Sequence, residues 1–369
     1  MVDRIPVGLV LLSPSSDPVP STRVAILNLL PLLRNSGFDA VLLHDPVASN
    51  ERPSLRLSAA DVVAKGVRVV IFQKVCGPDV QRTMRELSAA GVATVFMVCD
   101  IVEPAMVAAC DATVIVTEYL RSLYPVESRP RMHVVHDGIE EPDRVVSAHR
   151  GTRGSRNDPL RAVLVTSTHL SRLPSLGTVP GWLQVRVIGH YPSAPSTLAA
   201  LRNVQWRARH AGSLRAALET YYFALTPRIC CVQWGPSLVY NEMTLADIGV
   251  LPIDDRDRGD ATRPAGWTVK SENRLTLMMS MGLPVIATPI PAYERVVEHG
   301  VNAMFASSRS DWQRCLRALR DPERRRAMGI AARTAVHEHF SKQRQCALLA
   351  DVLRGVLSRY GVPGSSPGT

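Results

Sequence analysis

Aromatic side chains are scarce, with Phe, Trp and Tyr together making 5% of the 369 residues, and no basic stretch is interleaved with them. A surface that stacks unpaired bases needs such interleaving, so nucleic acid is not an expected partner. Seven cysteines are present (Cys76, Cys99, Cys110, Cys230, Cys231, Cys315 and Cys346), and none forms a C-x-x-C pair. Most lie in apolar surroundings, which predicts reduced core thiols rather than disulfides or a metal cluster. No apolar run reaches the length of a membrane span, and the N-terminus lacks the basic-then-apolar layout of a secretory signal. The expected location is cytoplasmic. Repeats with a period of roughly 20–50 residues, the mark of solenoids and propellers, are also missing.

What is present is ordinary globular composition, 46% hydrophobic and 21% charged, in a length that suits two domains. A net charge of +10 favours phosphorylated ligands and leaves a peripheral membrane contact open. The densest basic run, Arg324-Arg325-Arg326, falls in a helical stretch and is expected to be a solvated face.

Apolar runs alternate with amphipathic ones throughout. Strands are expected at Ile5–Leu12, Ala40–Leu43, Val67–Gln73, Val92–Val98 and Ala112–Thr117, with helices at Arg23–Ser36, Asp79–Ala90 and Glu103–Ala109. A polar segment, Glu140–Pro159, follows and has the composition of an exposed linker. Further strands are expected at Leu160–Thr166, Gln184–Gly189, Val204–Arg207, Ile229–Trp234, Ile248–Pro252, Pro284–Ala287 and Asn302–Ala306. Helices close the chain over Asp321–Tyr360. Strands alternating with helices imply an α/β protein with two doubly wound parallel sheets. The expected boundaries are 1–142 for a first Rossmann-like domain, 143–158 for a linker and 159–335 for a second Rossmann-like domain. Helices over 336–360 then cross back to the first domain, and a Gly/Ser/Pro tail over 361–369 is expected to be disordered.

The stretch from Tyr240 to Phe305 carries the strongest motif. Ile248–Pro252 reads as a buried strand, then come Lys270-Ser271-Glu272-Asn273-Arg274, a helix, the strand of Gly282-Leu283-Pro284-Val285, and Tyr293-Glu294. A helix opening beyond a strand's C-terminal end is a natural phosphate seat. This wording resembles the nucleotide-binding half of GT-B glycosyltransferases, in particular the retaining family-four branch. Val134–Ile139 is similar to that family's hinge-side element, with His136-Asp137 in place of Pro-Asn, and Pro322-Glu323-Arg324 through Phe340-Ser341 is similar to its closing helices.

The resemblance implies two Rossmann-like domains facing a central cleft and a hexosyltransferase that takes a nucleotide-diphosphate sugar. No cofactor and no metal are implied, and the acceptor is a small molecule, lipid or saccharide. One departure stands out: the family's Glu-x7-Glu pair falls here on Val269 and Leu277. Lys270, Asn273 and Arg274 instead match a Lys-x-x-Asn-Lys/Arg form found in some relatives. Lys270 and Ser271 at a helix start would stabilise a departing diphosphate. Arg172, after Thr166-Ser167-Thr168-His169, is the best match for the second diphosphate cation, with Thr166, Ser167 and His169 beside it. Gln233 and Trp234 sit where the base is commonly gripped, although Trp234 also suits a core position. Glu294 occupies a family-typical position that often serves structure.

On the acceptor side the candidates are Ser21, Thr22, Arg23, Lys74, Asp100 and Glu118, each following a strand of the first domain. Ser21 reads as a helix N-cap. Arg23 in the first turn opposes the helix dipole unless an anion lies near, so it is either a ligand contact or a plain surface residue. Asp100 either orients an acceptor hydroxyl or caps the next helix. Asp254 to Asp260 lacks the spacing of a calcium loop and is expected to be a solvated loop that closes over the donor. Two rivals remain, a hydrolysing nucleotide-sugar epimerase of the same fold and a non-catalytic sugar-binding or partner protein.

Overall fold

A computed structural model describes residues 4–146, 153–191, 196–254, 257, 259–260 and 264–362. Parts of the expected linker (147–152), of the Asp254–Asp260 loop (Asp255, Arg256 and Arg258) and of the tail (363–369) lie outside the described residues. The chain divides into two compact units. The first comprises Met1–Glu140, Asp257–Asn273 and His339–Thr369; the second comprises Glu141–Arg256 and Arg274–Glu338.

Six parallel strands form the first unit's sheet: β1 (Ile5–Val10), β2 (Phe38–His44), β3 (Val69–Gln73), β4 (Ala93–Val98), β5 (Ala112–Ile115) and β6 (Met132–Val134). Their order is β2-β1-β3-β4-β5-β6. The central strands β3 and β4 are buried along their whole length, as sheets covered on both faces require, whereas in edge strand β2 only Phe38 is buried and the residues after it are half-buried or exposed. The C-terminal helix, Lys342–Arg359, packs Leu349, Leu353, Val356 and Leu357 into a core shared with Leu9, Ile71 and Val95. Each such apolar side chain contributes about 1.5–3 kcal/mol by leaving water.

The second unit repeats the design with β7 (Leu160–Val165), β8 (Leu183–Gly189), β9 (Ile229–Gln233), β10 (Ile248–Leu251), β11 (Val285–Ala287) and β12 (Met304–Phe305). The order is β12-β11-β10-β7-β8-β9, again all parallel. In each sheet the chain reverses its direction of progress once, beside β1 and β3 in the first and beside β7 and β10 in the second. Those are the positions where open α/β sheets leave a crevice at their carboxyl ends. Gly329, in helix Pro322–His337, lies against Gly282, and a methyl group at Gly329 would run into the Gly282 carbonyl oxygen.

Several local expectations are corrected. The expected helix Arg23–Ser36 is three pieces: Pro20–Ala25, a single 3-10 turn at Leu27–Leu29, and Leu30–Asn35. Pro31 lacks an N–H and its ring would clash with the carbonyl four residues back, so a continuous helix cannot form. Val204–Arg207, expected as a strand, lies inside helix Thr197–Arg209, whose Ser196 cap accepts a hydrogen bond from the Ala199 amide. Nor is Arg324-Arg325-Arg326 uniformly solvated. Arg325 is buried and donates to the carbonyls of Leu319 and Arg320, both at 2.8 Å. Its two neighbours are exposed.

Candidate functional site

In the first unit the crevice beside β1 and β3 is built around Gln73, the last residue of β3. Its side-chain oxygen accepts from the Leu12 amide at 3.3 Å and from the Thr22 hydroxyl at 2.9 Å, and its amide donates to the Ser21 carbonyl at 3.3 Å. Ser13 donates to Thr22 at 2.9 Å. This buried polar network closes on itself, so it fixes the loop after β1 to the end of β3. The expectation for Ser21 is corrected here: Val19 is the N-cap and Pro20 the first helical residue, which suits proline, and Ser21 lies one step inside the turn. Arg23 makes a two-pronged bond to Glu140, at 2.8 and 3.0 Å, and Asn28 holds the same carboxylate at 2.8 Å. The anion that a cation in that turn requires is thus supplied from the chain itself.

Lys74 follows immediately and is the one non-glycine residue with positive φ (54°) among the described residues. Strain of this kind persists only where the surroundings enforce it. Its amide is held by the Met97 carbonyl at 2.8 Å, and its ammonium meets Asp100 at 2.8 Å and Glu51 at 3.0 Å. Lys270 approaches the other oxygen of Asp100 at 3.6 Å. Burial opposes the charge of Lys74, but the neighbouring Cys99, Asp100 and Glu51 groups outweigh it and raise its pKa. Burial works likewise against Asp100, and the two lysines prevail, so its carboxyl titrates below the usual range. The result is a carboxylate clamped between two ammonium groups at the ends of β3 and β4.

The segment bearing Lys270 is bound to this unit by more than that pair. Val269 is buried in the first unit's second apolar cluster, with Phe72, Phe96 and Val98. Ser271 donates to Asp137 at 3.0 Å, and Glu272 meets His136 Nδ1 at 2.6 Å. The His136 amide is held in turn by Gln345 at 2.9 Å. Burial, and after it the charge of Glu272, pushes the Asp137 carboxyl up to about 7, partly offset by the Ser271 hydrogen bond. Lys270 and Ser271, which the sequence places on the nucleotide-binding domain, therefore belong structurally to the first unit. Glu118 opens the helix after β5, which Thr117 caps through the Leu120 amide, and pairs with Arg121 at 3.3 Å.

The second unit carries the remaining candidates except Asn273, the last residue of the first unit's middle segment. Thr166 and Ser167 leave the end of β7, and the Thr166 hydroxyl meets Thr168 at 3.0 Å. Arg274, in the first turn of helix Asn273–Ser280, donates to the Val165 carbonyl at 3.3 Å, which sets its guanidinium beside β7. Next to it, the chain leaves β10 towards Ile253, whose amide donates to the Thr288 hydroxyl at 3.1 Å. His169 packs against Tyr191 with ring centroids 4.8 Å apart, and burial lowers its pKa. Tyr191 accepts from the Leu170 amide at 3.2 Å, and its own amide donates to Gln233 at 2.6 Å. The loop after β7 is thus tied to the ends of β8 and β9, where Trp234 bonds the Gly189 carbonyl at 2.8 Å. Arg172 makes no ion pair with a described residue and is half-buried on that loop. Glu294 is exposed after β11. Asn273 starts the helix that Arg274 continues.

Sequence reasoning passed over Gln73 as an organiser, and His136, Asp137, Glu51 and Glu272 as partners. The departure of His136-Asp137 from the family wording and the acid inside Lys270–Arg274 were the available signals. Among the described residues no three His, Cys, Asp or Glu side chains converge as metal ligands.

Residues 261–351 match a family model described as glycosyl transferase-like. No curated protein matches by sequence. Among solved structures, the chain is similar to sucrose-phosphate synthase from Thermosynechococcus elongatus (TM-score 0.65, 12% identity, 96% of this chain and 100% of that one). It is also similar to a glycosyltransferase from Rickettsia africae (0.64, 11%, 96% and 99%) and to Anabaena HepE in complex with UDP-glucose (0.62, 10%, 95% and 100%). At such identities the likeness concerns the fold. The two six-stranded parallel sheets give the chain the GT-B fold, and the match over 261–351 gives it its class: it is a glycosyltransferase.

Proposed function

We propose that this enzyme transfers a sugar from a nucleotide-diphosphate sugar to a hydroxyl or amine acceptor, with retention at the anomeric carbon and without a metal ion. The observation that carries the donor assignment is the crevice of the second sheet. The hydroxyls of Thr166 and Thr168 and the guanidinium of Arg274 gather at the carboxyl end of β7, where a diphosphate has its natural seat. HepE, of the same fold, has been solved in complex with UDP and with UDP-glucose, which supports a nucleotide sugar.

In this reading Arg172 and Arg274 hold the diphosphate, Ser167 and His169 line its loop, and Gln233 and Trp234 receive the base. Ser271, Asn273 and Glu294 complete the donor set. The bond from sugar to diphosphate breaks, and the acceptor oxygen bonds the same face of the sugar. The acceptor proton goes to a donor phosphate oxygen, and the nucleoside diphosphate leaves. On the first unit Lys270 supplies positive charge that matters more as negative charge develops, and Lys74 belongs to the acceptor set. Asp100 holds both ammonium groups in place, and Ser21, Thr22, Arg23 and Glu118 frame the acceptor side. The location consistent with this reading is the cytoplasm.

Thermal-shift measurements with UDP-, GDP-, ADP- and TDP-sugars test it. One donor should stabilise the chain, by about 2.7 kcal/mol at a hundredfold excess over Kd, and Arg274→Ala should remove that effect. If no sugar nucleotide raises the melting temperature, the donor assignment fails. A second reading, hydrolysing epimerisation, is favoured by the buried carboxyl pair Asp137 and Glu272. Release of a free, epimerised sugar without acceptor would establish it instead.

A further inference from the structure

Helix Leu214–Leu225 in the second unit carries two apolar stripes. One, Ala216, Thr220 and Phe223, is buried against the unit. The other is Leu214, Leu218, Tyr221 and Leu225, spaced by four, three and four residues and so aligned along one face. Its members are 79%, 60%, 38% and 66% exposed. The preceding helix, Thr197–Arg209, packs on it and adds Leu198, Leu201 and Trp206, the last 61% exposed, on its own open side. In a chain with few aromatics, an open tryptophan and six other open large hydrophobics on two packed helices are an exposed apolar surface of the kind that marks an interaction site. Beside Leu214 and Leu218 a groove of about 420 Å³ runs on to Leu173, Tyr222, Phe223 and Arg309.

The charge on these two helices is predominantly positive. Arg202 and Arg209 lie on the open side of the first helix, and the two helices together hold four arginines against a single glutamate. That glutamate, Glu219, is already shared by Arg215 at 3.2 Å and Arg309 at 3.3 Å. A two-fold contact with a second copy would set these arginine rims against each other. Anionic headgroups complement them, and leucines with a tryptophan amid arginines suit the boundary between headgroups and acyl chains. We infer that the hairpin of helices Thr197–Arg209 and Leu214–Leu225 docks the enzyme on an anionic lipid surface, its leucines and Trp206 entering the acyl boundary and its arginines meeting the headgroups.

Flotation of the full chain with vesicles of equal parts phosphatidylglycerol and phosphatidylcholine tests this against vesicles of phosphatidylcholine alone. The expected result is binding to the anionic vesicles that weakens as salt rises. The triple variant Leu214→Ser, Leu218→Ser, Leu225→Ser should lose about tenfold or more in affinity with an unchanged melting temperature, since the three side chains are exposed. A second variant, Arg202→Glu with Arg209→Glu, keeps the apolar face and should lose the preference for anionic vesicles. The inference is overturned if the wild-type chain stays with the soluble fraction, or if the triple variant floats as well as wild type. A dimer abolished by the triple variant, with no flotation of either, would assign the face to a second copy and overturn it equally.

Discussion

Replacing Asp137 by asparagine tests whether the first unit holds a buried carboxyl that is poised near neutrality. Asp137 is 7% exposed and accepts from Ser271, and it titrates at about 7 instead of 3.8 because of burial and the charge of Glu272. A carboxyl that binds its proton more tightly in the folded state favours folding less and less as the pH rises from 3.8 to about 7. Above that range the full cost of a buried charge is present. The difference corresponds to about 4 kcal/mol, an upper figure because local relaxation and water entry reduce it. An asparagine in its place carries no charge at any pH and keeps an oxygen to accept from Ser271. Relative to wild type, the Asp137→Asn variant should therefore gain stability between about pH 4 and pH 8, by roughly 2–4 kcal/mol. In a unit of this size that moves the melting temperature by roughly 4 °C or more. Thermal unfolding followed by circular dichroism across that range measures it. An equal difference between variant and wild type at both ends would refute the reasoning, because it would mean that Asp137 is ionised throughout.

Three further outcomes are expected. Lys270→Ala should lower turnover at least tenfold, about 1.4 kcal/mol of lost transition-state stabilisation, and unchanged kinetics would remove Lys270 from the mechanism. Gly329→Ala should destabilise the second unit by about 1–3 kcal/mol in denaturant titration, because the added methyl meets the backbone of Gly282 rather than a side chain that can turn aside. Transfer activity should survive exhaustive treatment with a chelator; loss that is restored by a divalent cation would overturn the metal-free proposal.

The fold class was legible because the pattern is physical and repeated. Segments such as Val69–Gln73 and Ala93–Val98 are buried at every position, which suits a strand covered on both faces. Where the pattern was ambiguous, local chemistry decided differently: Val204–Arg207 reads as a short strand, yet the cap at Ser196 commits it to a helix. The candidate site was legible as residue types after strands, Lys74, Asp100, Thr166 and Arg274 among them. Its wiring was not, because hydrogen bonds such as His136 to Glu272 join residues far apart in the chain, and no local pattern records them.

The sequence by itself determined the alternation of strands and helices, the reduced cysteine inventory, and the family wording from Tyr240 to Phe305. Those follow from side-chain volume, polarity and spacing, which are properties of the chain alone. Tertiary structure alone decided that Lys270 and Ser271 side with the first sheet, that Asp137 holds its proton to about pH 7, and that the Leu214–Leu225 stripe is left open. Periodicity states which faces prefer to leave water. Only the folded chain determines what covers them, and charge states follow from that exclusion of solvent.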